Sequence, residues 1–468
     1  MEPSRLGKEK KEAQKKRPSH REKKQKKLKI TETVTIKNEA PEGAIFKGYS
    51  SFIIQEMVTQ VKNIEYRCAR WLLSDGTYYT EEIPVAYKGS HFGPELRKHI
   101  LYQHHNNRVT QGKIHQELKD KGIIISVGQI DAILQQETKN FAQEKEDILP
   151  AAMQVSTFLQ TDDTGSRHNG KNGFSTVICN EMFSYFKTTD SKSRITFLKN
   201  LNVYKRPFII NDDALVYAKE HGLGQATFAW FASKLGEFYD EGDFVIFLQQ
   251  RILSNKDKRI ITEACLFAAC IDGGFSREKI ILSDGARQFN LFNHALCWIH
   301  AERALKKIIP VDDEEKKAVE YACDLVWNFY DELKEYKKSP SMPQKNYLEN
   351  RFDEIFSMPM HGFSIAPIFA NFRRHKHELL VVLDHPEIPL HNNNSERDIR
   401  EHVIKRKISG STRSLSGRDA RDIFNSLIKT CLKNQISFWN FLDDRIKKTN
   451  LIPPLAQVII QRAAYSDP

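Results

Sequence analysis

Three acids stand where a carboxylate can do chemistry. Asp162 lies at the end of the extended run MQVSTFLQTDD, Asp284 closes the short apolar run KIILSDG, and Glu396 opens a helix in NNNSERDIREHVIKRKI. Strand ends of open α/β sheets are where ligands and catalytic groups gather. A fold that brought these three together would present the hard oxygen donors that magnesium prefers. Two such ions, about 4 Å apart, can activate an oxygen that attacks a phosphodiester and stabilise the oxygen that leaves. With 60 acidic residues many trios could be drawn, so the neighbours of Glu396 matter. On a helix Glu396, Arg400, Val403 and Lys407 share a face. From Arg397 to Asp422 eight Lys/Arg stand against four acids. Arg397, Arg400, Lys405 and Lys407 are therefore candidate contacts to flanking phosphates, although a solvated helix with internal ion pairs fits the same charges.

Cys297 and His300 form a C-x-x-H pair just after the Asp284 segment, but Cys265 and Cys270 make a poor second pair for zinc. A packed cysteine with a hydrogen-bonded histidine beside the site is the expectation. No G-x-x-x-x-G-K-[ST], H-E-x-x-H, G-x-S-x-G or complete G-x-G-x-x-G occurs. Nucleotide hydrolysis, zinc proteolysis and α/β-hydrolase chemistry thus lose support.

The elements that must position the acids follow from periodicity. Helix-like spacing of Ile100, Ile114, Leu118, Ile130, Ile133 and Leu134 predicts three helices, about 93–105, 110–121 and 126–136. Thr110 and Ser126 sit at N-cap positions and Gly122 at a C′ position. The last two helices, joined by residues 122–125, match a helix-turn-helix, in which Ser126 and Gln129 could reach bases; an ordinary three-helix bundle fits too. Strands are expected at 153–163, 174–180 and 182–189, then a helix from about Ser191. Three strands and a helix, with an acid ending the first strand, is how a ribonuclease-H-like domain begins. Residues 201–278 and 311–385 read as helical insertions, being too long for loops.

The 468 residues carry 71 Lys+Arg against 60 Asp+Glu, a formal charge of +11. Residues 1–29 hold 13 Lys/Arg and four acids, so the other 439 residues carry only +2. The N-terminal stretch is too polar to bury a core and is expected to be a disordered basic arm that meets DNA phosphates. The longest apolar run, Ala264 to Ile271, has eight residues, against the roughly 20 of a membrane helix. No secretory signal is expected, and seven scattered cysteines suggest free thiols in a reducing cytoplasm.

The blocks TDDTGSRH, SDGARQFNLFNHALCWIHAERALKKIIP and IPLHNNNSERDIREHVIKRKISGSTRS together resemble transposases of the insertion sequence 66 family, in the family's order, from about residue 90 to 447. The resemblance implies a DDE transposase: an α/β, ribonuclease-H-like catalytic core with helical insertions, preceded by an all-α helix-turn-helix domain. Carried over, Asp162, Asp284 and Glu396 are the catalytic, metal-holding acids, with two Mg2+ ions or Mn2+ in their place. The first block reads Asp162-Asp163-Thr164 where the family commonly has Asp-Glu-Thr, which keeps Asp163 as a neighbouring candidate. Many members carry a cysteine-rich zinc segment near the N-terminus. Here only Cys68 lies in that region, so zinc is not expected there.

The implied organisation is a basic arm (1–40), a DNA-binding N-terminal region (41–145), the core in three parts (146–200, 279–310, 386–447) separated by insertions (201–278, 311–385), and a C-terminal tail (448–468). The expected partners are double-stranded DNA at element ends and target, further copies of the chain, and accessory proteins; no membrane is expected. The expected location is the cytoplasm, on the nucleoid. A transposase-derived DNA-binding protein without catalysis, and a ribonuclease-H-like nuclease or resolvase, are the alternatives.

Overall fold

A computed structural model describes residues 29–36, 42–84, 87, 89–360 and 364–466. Most of the expected basic arm lies outside them. The chain divides into two units, Met1–Gln60 and Val61–Pro468. In the first, the described residues form no helix or strand.

The second unit begins with the hairpin β1 (Arg70–Leu72) and β2 (Tyr78–Thr80), turned at Gly76 with φ +83. Next come α1 (Pro94–Leu101), a π-helical turn (Tyr102–Asn106), α2 (Gln111–Asp120) and α3 (Val127–Val155). Gly122 follows α2 with φ +78, as a C′ glycine should. Ser126 starts α3 with a capping box: its Oγ accepts from Gln129 N–H, and Gln129 Oε1 accepts from Ser126 N–H. The sequence pattern ends this helix near Gln136, yet it continues to Val155. Phe141, Ile148, Leu149 and Ala152 keep the helical period and are buried, so packing carries the helix past Pro150, which lacks one N–H.

Because α3 takes Met153–Val155, the expected first strand starts later. β3 (Phe158–Gly165), β4 (Phe174–Cys179) and β5 (Ser184–Thr189) are followed by α4 (Arg194–Leu201), capped by Ser193. The segment 201–278 then holds β6 (Phe208–Ile209), α5 (Asp212–Glu220), α6 (Gln225–Ala232), β7 (Phe238–Tyr239), α7 (Glu241–Gln249) and α8 (Asn255–Asp272). β8 (Ile280–Ser283) and β9 (Asn293–Leu296) lead to α9 (Trp298–Lys306). Four helices follow, α10 (Asp313–Tyr336), α11 (Met342–Ser357), α12 (Ile365–Arg374) and α13 (Lys376–Leu380). The chain closes with α14 (Asn393–Ser409), α15 (Leu415–Lys433), α16 (Phe438–Lys447) and α17 (Leu455–Ser466).

The expected C-terminal tail is therefore a helix. Leu455 and Ile459 of α17 are fully buried, and the helix packs on α3. Glu144 of α3 fixes this corner: it accepts two hydrogen bonds from Arg445 at 2.6 and 2.7 Å and one from Leu455 N–H at 3.1 Å.

The main sheet has the order β5-β4-β3-β8-β9. β3, β4 and β5 are antiparallel neighbours, whereas β8 runs parallel to β3 and β9 parallel to β8. The fold is thus α/β with a mixed sheet. Strand alternation divides the apolar core between its two faces. Leu159, Ile178 and Ile281 pack with α3 and α8, while Phe158, Ile280 and Leu282 pack with the cluster of α9–α13.

Candidate active site

The period of two decides where each acid of β3 points. Asp162 shares a face with Phe158 and Gln160, and Asp163 takes the other. Across the sheet Asp162 pairs with Val177, which pairs with Phe186. Val177 and Phe186 pack on Ile399 of α14, so Asp162 lies on the face that α14 covers. Asp163 is engaged elsewhere: Gln288 Nε2 donates to its Oδ2 at 2.6 Å, and Lys192 Nζ stands 4.0 Å from its Oδ1. β3 and β8 run in register, Phe158 opposite Ile280 and Gln160 opposite Leu282. Extending that register by two residues sets Asp284 beside Asp162. Gly285, at φ +92, turns the chain immediately after it, and a Cβ there would meet Leu296 Cδ2 at 2.9 Å.

Residues 390–392, just before α14, are stitched to the middle of β3 and to the chain that leaves β9. Gln160 Nε2 donates to His391 O at 2.9 Å, and Asn392 Nδ2 donates to Thr161 O at 2.8 Å. Trp298 N–H donates to Leu390 O at 3.0 Å, and Asn392 N–H to Cys297 Sγ at 3.3 Å. The C-x-x-H pair is thus split in role. Cys297 is buried and receives the chain that starts α14, whereas His300 turns to the acid. His300 Nε2 lies 3.6 Å from Glu396 Oε1 and accepts from Arg303 Nη1 at 2.8 Å; Arg303 Nη2 stands 3.5 Å from Glu396 Oε2. All seven cysteines are free thiols.

The electrostatics record the convergence. Asp162 is pushed up to about 7 by its burial, then by the charge of Asp284, with Asp163 and Glu396 adding to it. Glu396 Oε1 is buried without a hydrogen-bond partner. A raised carboxyl and an unpartnered carboxylate oxygen fit hard oxygen donors that could take a cation. Among the described residues no three His, Cys, Asp or Glu side chains are grouped tightly enough to hold a metal as they stand. Mutual repulsion opposes closer approach of three carboxylates.

Nothing in the sequence spacing points to the bonds that hold Ser283. Ser283 Oγ accepts from Gly285 N–H at 3.1 Å and shares a 2.8 Å hydrogen bond with His294 Nε2, and His294 Nδ1 lies 3.1 Å from Glu378 Oε1. A carboxylate only accepts, so Nδ1 carries the proton and Nε2 takes the serine hydroxyl. Ser283 is wholly buried and out of reach of a substrate. This chain of bonds holds the Asp284 turn from α13. Burial works against the Glu378 charge, yet hydrogen bonds from His294 and His375 keep its carboxyl below the usual range.

Arg397, Arg400 and Lys407 are exposed on α14 and form no ion pair among the described residues. Lys405 departs from the expected stripe. It is 6% exposed because it falls on the inner face with Asp398 and His402, so it cannot lie along a duplex with the other three. Ser126 and Gln129 are exposed at the start of α3, each with an acceptor engaged in the cap. Gln129 also lines a cavity of about 1140 Å3 between α1, α3 and α16. That cavity contains none of the three acids.

Residues 274–420 match the family model described as Transposase IS66 family. The sequence is 38% identical over 321 residues to Uncharacterized protein y4jO of Sinorhizobium fredii (strain NBRC 101917 / NGR234), covering 68% of this chain and 100% of that protein. No solved structure matches. The family match holds Asp284, His300 and Glu396, and Asp162 lies before its first residue. The chain belongs to the IS66 transposase family.

Proposed function

We propose that the protein is a DNA transposase that binds the ends of its element, cuts there in a metal-dependent step, and joins the freed 3′-hydroxyl to target DNA. The observation that carries this reading is that Asp284 lies beside Asp162 on one sheet face with the charge of Glu396 within reach, the Asp162 carboxyl being pushed up to about 7 by burial and then by these charges. The strand order supports a ribonuclease-H-like core, with three antiparallel strands and two more parallel to the first. The tight turn between α2 and α3 supports a helix-turn-helix, with Ser126 and Gln129 at the groove-facing end.

Asp162, Asp284 and Glu396 would hold Mg2+, with the unpartnered Glu396 Oε1 as one donor. When bound, the metal supplies Lewis-acid activation of the attacking oxygen and charge stabilisation for the leaving one. The chain's own groups do the positioning. Arg303 and His300 orient Glu396, the Ser283–His294–Glu378 bonds orient Asp284, and Arg397, Arg400 and Lys407 bind flanking phosphates.

The test is Asp284→Asn in a cleavage assay on element-end DNA with magnesium. Cutting should disappear while DNA binding persists, and undiminished cutting would overturn the assignment. A protein that only binds DNA would not cut even as wild type, and a resolvase would cut without joining.

A further inference from the structure

A cavity of about 230 Å3 lies where α3, the end of α14, the start of α15 and the π-helical turn meet, and its lining holds two cations, Lys405 and Arg421, against one acid, Asp131. Lys405 and Arg421 are each 6% exposed. Neither pairs with a carboxylate among the described residues. Lys405 Nζ has only His104 O and His105 Nδ1, both at 3.4 Å. Arg421 Nη2 reaches Ser409 Oγ at 3.4 Å and Gly410 O at 3.3 Å, and its buried Nη1 has no partner. Burying a charge is costly unless it is paired, so two side by side call for an explanation.

None of the acids in or near the cavity pairs with Lys405 or Arg421, and Asp131, the one in its lining, is held by two amides of the same wall. Asp422 accepts the Thr188 N–H and hydroxyl, both at 2.7 Å, and Asp131 accepts from Gln111 at 2.9 Å and Gln135 at 2.5 Å. Glu401 pairs with Arg108 and, at 3.6 Å, with Lys429. Burial, then the charges of Arg421 and Arg108, push the Lys405 ammonium down to about 7. The wall opposite Asp131 suits an anion. Residues 410–414, a Ser/Gly/Thr-rich loop, enter the 19-residue α15, whose cap is Ser414 Oγ accepting from Gly417 N–H at 3.1 Å. The first-turn N–H groups of such a helix favour negative charge. Ser411, Ser414 and Ser416 are exposed, which opens the cavity to solvent.

We propose that this cavity binds one phosphate of the DNA backbone. The DNA part of the proposal rests on the transposase reading; the phosphate part does not. The volume, far above the ~30 Å3 of one water, admits a tetrahedral anion with waters. Lys405 lies nine residues beyond Glu396 on α14, on the order of 14 Å along the helix axis. That is about four base steps of one strand. A phosphate held there would fix the register of the duplex against the three acids.

The experiment melts the full chain in inorganic phosphate, with chloride of equal ionic strength as control. Phosphate should raise the wild-type Tm increasingly with concentration, and Lys405→Met and Arg421→Gln should abolish the response. Lys405→Met should also melt above wild type without phosphate, because it removes an unpaired buried charge; a merely structural lysine would give the reverse. If Arg421→Gln does not fold, the wild-type response and Lys405→Met decide. In a DNA titration Lys405→Met should lower the slope of log affinity against log salt by about 0.9, one phosphate contact. Wild type that responds equally to phosphate and chloride overturns the site. A phosphate response with an unchanged DNA slope overturns its assignment to DNA. Failure to cut DNA bears on the transposase reading alone and leaves the phosphate melting curves as they are.

Discussion

Asp162 concentrates the residue-scale physics, since its carboxyl is partly desolvated and faces two other acids that the same fold delivers. Function and stability pull in opposite directions at such a position. Asp162→Asn removes the repelled charge and keeps the shape. In divalent-free buffer near neutral pH it should melt higher than wild type, by on the order of 1–2 kcal/mol. It should also lose the Tm rise that magnesium gives wild type. A variant that melts lower and still responds to magnesium would remove Asp162 from the metal set. Asp284 and Glu396 stand at a strand end and a helix start as the sequence pattern has them, but β3 runs three residues past Asp162, and the choice between Asp162 and Asp163 was not legible. That choice depends on which face α14 covers, known only once Val177 and Phe186 pack on Ile399. His294 and Glu378 were invisible because they sit 84 positions apart and only the insertion's packing joins them.

Elements carry the next level of argument, because α13 and α14 each present a different service to the same site. Glu378 on α13 holds His294, and through Ser283 the turn that carries Asp284. Glu378→Gln should lower cleavage about 10–100-fold, the usual cost of losing a supporting partner, without changing DNA affinity. Parallel losses of affinity and cleavage would instead show a misfolded insertion. On α14 the basic pattern was readable, but its division into two faces was not. Lys405 is one residue out of phase with the exposed Arg400 and Lys407, so it turns inward. Its low folded pKa gives a pH signature in phosphate-free buffer. The folded state binds that proton less tightly than the unfolded state, so stability should rise with pH between about 7 and the ordinary lysine range. Arg421 of α15, Arg108, His104 and His105 face the same ammonium. Comparison of Tm against pH for wild type and Lys405→Met isolates the contribution: the wild-type deficit should be full below pH 7 and shrink above it. A constant difference across that range would mean Lys405 titrates normally.

At the scale of the whole second unit, one continuous apolar cluster runs from Ile100 and Ile133, through Ile148 and Ile178, to Phe441 and Ile459. Sequence patterning divides this stretch into a DNA-binding region, a core and a tail, because local periodicity says nothing of what a helix end meets. The 29-residue α3 crosses the expected boundary at 145, and α17 lies against it. The last helix should therefore matter to the entire unit. Ile459 is fully buried, and Ile459→Ala should cost about 2–5 kcal/mol, the transfer of the lost methyls plus the cavity they leave. In urea this should appear as a lower midpoint at unchanged m, since the same surface is still exposed in a single transition. If α17 were a separable tail, the variant would leave the main midpoint where it is and only fray the terminus. The coupling also predicts the function of the variant. Under mild urea, loss of DNA binding and loss of cleavage should track one unfolding curve, because α3 carries Ser126 and Gln129 at one end and reaches the strand that holds Asp162 at the other.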